Sequence, residues 1–213
     1  VGTLTQGADG LTYTGTFTPD ASTTADTNVI SLTTTGYVDI AGNEGAAAQT
    51  ANNYRVDTET PKAPAQPSFD EDLGQSTSDN LTADDEVTLE VVAEKDGTVV
   101  FYDGATELTG TVTSVAHSSD ATLEVFTLAG VTLAEGSHVI TAKVTDTAGN
   151  TSVASASRTI VVDTTAPTVS SVALISDTET TYGVLNAGDK VTAKVTFDDD
   201  VYLVNTASTS NPV

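Results

Sequence analysis

Hydrophobic and polar residues alternate along most of this chain with a period of two. The clearest run is residues 87–94, where Val87, Leu89, Val91 and Ala93 share one face and Thr88, Glu90, Val92 and Glu94 share the other. A strand with one buried face has that spacing. The same pattern predicts strands over 98–102, 109–115, 122–128 and 137–145, the last turning Ile140, Ala142 and Val144 inward, and a closing strand over 155–162. A Pro-rich extended strand at 64–69 and a long acidic loop at 70–85 come before this set. Turns are marked at Lys95-Asp96-Gly97, at the hairpin dipeptide Asp103-Gly104, and from Asp146 to Asn150. Seven strands in about a hundred residues, with no helical stretch, predict an all-β, immunoglobulin-like sandwich.

The flanks carry pieces of the same pattern. Residues 11–18, 28–38 and a last strand ending at Val56 read as the later strands of one sandwich, and residues 169–174, 190–197 and 201–204 read as the early strands of another. Two landmarks set the period. Asp57-Thr58-Glu59-Thr60-Pro61 returns as Asp163-Thr164-Thr165-Ala166-Pro167, and Asp39-Ile40-Ala41-Gly42-Asn43 returns as Asp146-Thr147-Ala148-Gly149-Asn150, each after about 106 residues. The expected organisation is therefore tandem immunoglobulin-like β-sandwich domains: a C-terminal half in 1–56, a complete domain in 57–162 and an N-terminal half in 163–213. Proline donates no amide hydrogen and biases its predecessor towards extended geometry, so each landmark ending in proline reads as a stiff joint. The two halves together have nearly the length of a whole repeat. A half-sandwich exposes an apolar face and an unpaired edge, so the expectation is head-to-tail self-association, in which one molecule's C-terminal half completes another's N-terminal half.

Charge narrows the choice of partner. Thirty Asp and Glu against seven Lys and Arg give a net charge of −23, which excludes a nucleic-acid or anionic-membrane partner as the expectation, because phosphate binding needs clustered cations. No apolar run approaches a bilayer's thickness and Val1 begins no signal-peptide pattern, so the sequence reads as an interior piece of something longer, without direct membrane insertion. Cysteine is absent, which removes disulfides and cysteine-zinc sites as braces. Divalent cations held by oxygen are the remaining staple.

Strand parity decides which acids can meet. In an antiparallel seven-strand sandwich the turns after strands two and six share the end at which the domain begins, so Asp57, Asp96, Asp146 and Asn150 are expected together at the first joint. Asp163 belongs to the second joint with Asp198, Asp199 and Asp200, and the loop bearing Asp70, Asp72 and Asp79 hangs towards it. Asp39 and Asn43 repeat the Asp146 and Asn150 pair in the preceding segment. Converging carboxylate and amide oxygens suit Ca2+, which takes six to eight oxygen ligands, better than the stricter octahedron of magnesium. The same Asp-x-x-Gly-Asn spacing also fits a turn bonded to itself, and the Asp triplet also fits a solvated loop. Catalysis has little support: His117 and His138 have no Ser or Cys motif beside them, and the carboxylates fall in turns at domain ends. The six tyrosines are spread among strands and form no sugar-stacking platform.

Asp-Thr-Ala-Gly-Asn paired with a closing Ile-Val-Val-Asp-Thr-Thr-Ala-Pro resembles the bacterial immunoglobulin-like (BIg) tandem repeats of giant, type I-secreted RTX-type adhesins. Residues 70–82 are similar to the acidic first loop of many such repeats, and residues 182–189 with 195–199 resemble a sister subtype. Glu59 and Thr60 depart from the Thr and Ala of the second joint. The resemblance implies an extender at the bacterial cell surface, extracellular and non-catalytic, whose repeats hold a distal binding domain away from the cell and contact neighbouring repeats of the same chain through calcium at the joints. The alternatives it leaves are a ligand-binding adhesin module, for instance for carbohydrate, and a spacer of a secreted polysaccharide-active enzyme.

Overall fold

The structure, a computed structural model, describes residues 3–32, 37–45, 49–70, 72–176, 188 and 190–202. It divides into two compact units, Val1–Asp163 and Thr164–Val213. The described residues contain strands and turns and no helix. The fold is all-β, built on sandwich architecture.

The chain opens with six short strands: β1 (Thr5–Gln6), β2 (Tyr13–Thr14), β3 (Thr24–Asn28), β4 (Ser31–Leu32), β5 (Gln49–Thr50) and β6 (Tyr54–Asp57). Among the described residues they pair two by two, β1 with β2, β3 with β6 and β4 with β5, all antiparallel. The long alternating strand expected over 11–18 is reduced to β2, and β1 pairs with it although no early strand was expected here. Leu11, Tyr13, Val29, Ile30 and Leu32 are exposed, and Val56 is the one large apolar residue of this segment that is buried among those described. An alternating sequence forms a long strand only where a second sheet covers its apolar face. Residues 33–36, in the predicted strand 28–38, lie outside the described residues.

Residues 60–163 form the packed sandwich. Its strands are β7 (Ser68–Phe69), β8 (Leu81–Thr82), β9 (Glu86–Glu94), β10 (Thr98–Asp103), β11 (Thr106–Glu107), β12 (Val112–Ala116), β13 (Leu123–Thr132), β14 (Gly136–Thr145) and β15 (Arg158–Val162). One sheet has the order β11-β10-β14-β15-β8 and the other β12-β13-β9-β7. Strand β9 buries every second residue, as its alternation requires. Val87, Leu89, Val91 and Ala93 meet Val99, Phe101, Phe126, Leu128, Ile140, Ala142, Val144, Ile160 and Val162 in a single core. Each fully buried Leu, Ile, Val or Phe contributes about 1.5–3 kcal/mol relative to exposure.

Two expectations need correction here. The predicted loop 70–85 is a crossover between the sheets: residues before it run beside β9, with Ala65 donating to the Val92 carbonyl at 2.8 Å, and β8 then pairs parallel with β15 through Leu81 and Thr82. Polar composition concealed the short strand. The closing strand predicted from residue 155 begins only at Arg158, because two buried serines take over the ladder. Ser152 and Ser155 donate their amides to the Val144 and Ala142 carbonyls, and their hydroxyls accept the amides of the same two residues at 3.1 and 3.0 Å.

Among its described residues the second unit holds an antiparallel pair, β16 (Val169–Ser176) with β17 (Val191–Phe197). Val172, Leu174, Val191 and Val195 are exposed on it. Asp177, Glu179 and residues 203–204, in the loop and last strand predicted there, lie outside the described residues, as do 182–187 and Asp189 of the family-like stretch.

Candidate functional site

The repeated pentapeptide builds the same turn twice. In the first copy the Asp39 Oδ1 accepts the amides of Ala41 and Asn43 at 2.9 and 2.8 Å, and its Oδ2 accepts the Asn43 side-chain amide at 2.7 Å. In the second the Asp146 Oδ1 accepts the amides of Ala148 and Asn150 at 2.8 and 2.9 Å, and its Oδ2 accepts Asn150 Nδ2 at 2.9 Å. Gly42 and Gly149 take φ of 87° and 94°, where an L side chain is strained. These donors hold the Asp39 carboxyl below its ordinary range, the Asn43 side chain contributing most. At Asp146 desolvation pushes the other way, but the Asn150 side chain and three turn amides outweigh it, so that carboxyl is lowered too.

The second turn also reaches out of itself. Asn150 Nδ2 donates to the Asp57 backbone carbonyl at 3.2 Å, tying the turn after β14 to the end of β6, where the chain enters the sandwich. Asp57 Oδ1 accepts the Glu59 amide at 3.1 Å, and the Thr24 hydroxyl lies 3.4 Å from Asp57 Oδ1 and 3.3 Å from Glu59 Oε2. Thr58 extends the β3–β6 ladder by exchanging bonds with Thr23, and its hydroxyl donates to the Asp20 carbonyl at 2.7 Å. Asp96 follows β9 with a φ of 62°, and Thr98 at the start of β10 pairs with Thr145. The Asp96 and Asp146 turns thus share one end of the sandwich, the end that Asp57 enters. The turn is tight because Gly97 lies against Val144, whose Cγ2 would be 2.4 Å from any Cβ there.

Asp163 lies at the other end. Val162 pairs with Gly136, at the opposite terminus of β14 from Asp146, and the Asp163 amide donates to the Thr82 carbonyl at 2.9 Å. In the second unit Asp198 accepts the Thr168 amide at 2.6 Å and its hydroxyl at 2.5 Å, which lowers the Asp198 carboxyl, and Asp199 Oδ1 accepts the Asp200 amide at 2.7 Å. Asp163 belongs to the first unit and these three to the second. No three His, Asp or Glu side chains converge as a metal cage among the described residues.

Residues 60–164 match the model of a family described as a bacterial Ig-like domain, and residues 1–56 match a second family model with the same description. These two segments are bacterial Ig-like repeats. No curated protein and no solved structure matches the chain. Within the Ig-like repeat at residues 60–164, the crossover holds the remaining acids singled out from sequence. Asp72 is buried, and its Oδ2 accepts the Asn80 amide at 3.1 Å; Asp79 Oδ1 caps the Leu81 amide at 3.1 Å; Asp70 is exposed.

Sequence reasoning missed one arrangement in the repeat. His138 Nδ1 lies 2.7 Å from Asp103 Oδ2 and its Nε2 lies 2.8 Å from the Ala134 carbonyl, while Asp103 Oδ1 accepts the Val139 amide at 3.0 Å. Both partners of the ring are acceptors, so only the imidazolium satisfies both. Desolvation works against that charge, but the Asp103 and Ala134 bonds prevail and raise the His138 pKa above its ordinary value. Asp103-Gly104 signals a hairpin, which forms with Asp103 opposite Thr106, and nothing in that dipeptide announces the histidine.

Proposed function

We propose that this chain is a stalk segment of a bacterial cell-surface adhesin, an extracellular spacer that works mechanically and catalyses nothing, and that calcium at the joint between its Ig-like repeats stiffens it. The observation that carries the reading is the bond from Asn150 to the Asp57 carbonyl: the turn closing one end of the complete repeat grips the strand that leads into it. A joint with such a grip resists bending, which is what a spacer must do. Calcium would act on the same group of oxygens, from Asp57, Asp96, Asp146 and Asn150, and the three carboxylates among them repel one another without it. The repeat family supports surface placement, and the large negative charge supports a divalent partner.

The test is a melting curve of the chain in chelator, in millimolar calcium and in sodium at equal ionic strength. A ligand bound only by the native state adds about 2.7 kcal/mol at a hundredfold excess over its dissociation constant. Calcium should raise the midpoint where sodium does not, and Asp146→Ala should remove much of that rise. Equal midpoints in all three conditions would refute the calcium part of the proposal and leave the spacer reading to be tested by small-angle scattering, in which a freely hinged chain would refute it.

A further inference from the structure

The edges of the packed sandwich are not protected alike. A free edge offers unpaired amides and carbonyls to any other strand, and proteins blunt such edges by shortening them, charging them or placing proline beside them. Among the described residues the edge strands are β11, β8, β12 and β7. β11 is two residues long and carries Glu107, β8 is two residues long between Asp79 and Asp84, and β7 is two residues long and follows Pro64 and Pro67. β12 has five residues, Val112–Ala116, and none of these protections. No Asp, Glu, Lys or Arg stands between Glu107 and Asp120, in a chain whose net charge is −23.

The ladder shows which groups of β12 are free. His117 donates to the Leu123 carbonyl at 3.1 Å, which marks residues 117 and 123 as a hydrogen-bonded pair. Bonded and non-bonded pairs alternate along an antiparallel ladder, so Val115 and Thr113 bond β13 through Val125 and Thr127. The amides and carbonyls of Val112, Ser114 and Ala116 then point away from the sheet. Residues 113–116 are exposed, Val115 at 63%. Beside the edge a cavity of about 210 Å³, lined by Val112 and Ser114, reaches Val99 and Phe126 of the core.

We propose that β12 pairs with β12 of a second copy of this chain, antiparallel about a two-fold axis at Ser114, joining two four-stranded sheets into one. In that register Ser114 faces its own copy, Val112 faces Ala116 and Thr113 faces Val115. Every outward amide and carbonyl of Val112, Ser114 and Ala116 gains a partner, and no charges are opposed. The occupant is a second copy because the edge matches itself under the two-fold and is neutral: thirty acids against seven bases make most approaches of two copies repulsive, and this edge lets them touch. Ser114 lies opposite the buried Phe126, so the partner strand also extends the cover of the cavity on the core side.

A two-fold axis across the strands sets the two repeats antiparallel, the end bearing Asp146 in one beside the end bearing Asp163 in the other. On the spacer reading above, on which this consequence alone rests, the contact joins stalks that point in opposite directions, as those of two facing cells do. The stalk would then itself be adhesive.

Sedimentation of the whole chain up to millimolar concentration, in chelator so that calcium plays no part, tests the pairing. A five-residue edge belongs with small transient contacts, below about 1,200 Å². The unaltered chain should pass from monomer to dimer as concentration rises, because a two-fold contact closes on itself. Ser114→Lys and Ser114→Glu each oppose like charges across the axis and should each raise the dimer dissociation constant at least about tenfold, while an equimolar mixture of the two should recover the dimer. Ser114→Pro removes an outward amide and no bond to β13, so it should abolish the dimer with the repeat still folded. A chain monomeric at every concentration would overturn the proposal, as would association, closed or open-ended, that Ser114→Lys leaves unchanged. A mixture no more associated than its two components would overturn the register about Ser114.

Discussion

Two copies of one turn, Asp39 to Asn43 and Asp146 to Asn150, have the same internal hydrogen bonds and occupy very different surroundings. The first stands among short two-stranded pairs most of whose described apolar residues, Val56 excepted, remain exposed. The second caps a strand with Ile140, Ala142 and Val144 wholly buried, and its asparagine reaches across to another segment. The lesson is that five residues suffice to specify the turn, since its donors and acceptors all lie within it, whereas what the turn holds together depends on packing beyond it.

The largest effect that would sharpen this contrast lies in the core. Leu89→Ala should destabilise the complete repeat by about 3 kcal/mol through lost burial and a cavity, while Leu11→Ala, at a position 86% exposed, should change stability by less than about 0.5 kcal/mol. Urea denaturation of each variant measures the difference, and comparable losses would mean that the first segment packs against something too. Next in size is the reach of Asn150. Asn150→Ala removes a bond within the turn and the bond to Asp57, so it should cost about 1 kcal/mol more than Asn43→Ala, which removes only the former.

Glycine substitution probes the shared part of the two turns. No atom lies within 4 Å of a Cβ placed on Gly42 or Gly149, so Gly→Ala at either one meets only backbone strain, about 1 kcal/mol in both. Unequal costs would break the claim that the turns are locally alike. The smallest effect is a pH dependence confined to the complete repeat. Because the folded His138 pKa is raised, its contribution is fully present below the unfolded value near 6.5 and is lost as pH rises through the higher folded value. The melting midpoint should therefore fall between pH 6 and pH 9 relative to His138→Gln, and parallel curves for the two chains would show that the imidazolium is not held.

Much of this was legible from spacing. Alternation placed β9, β10, β14 and the core residues Val87, Leu89, Val91 and Ala93, because period two with one apolar face permits little else. Strand parity separated Asp146 from Asp163 before any coordinate. The crossover was illegible, since β8 is two residues long and its partner, β15, is about eighty residues away in the chain. So was the shortened β15, whose place is taken by the Ser152 and Ser155 hydroxyls.

The candidate site divides along the same line. The sequence determined the Asp-x-x-Gly-Asn turns, the joints ending in proline and the acidic character of both ends of the repeat, because each rests on local geometry or on composition. Strand parity already grouped Asn150 with Asp57; only the tertiary structure decided that the contact runs from Asn150 Nδ2 to the Asp57 backbone carbonyl, that Arg158 gives its bonds to neutral oxygens, and that His138 sits between two acceptors. Each of those contacts joins residues far apart in the chain, and a partner's identity is set by the register of sheets that no local pattern encodes.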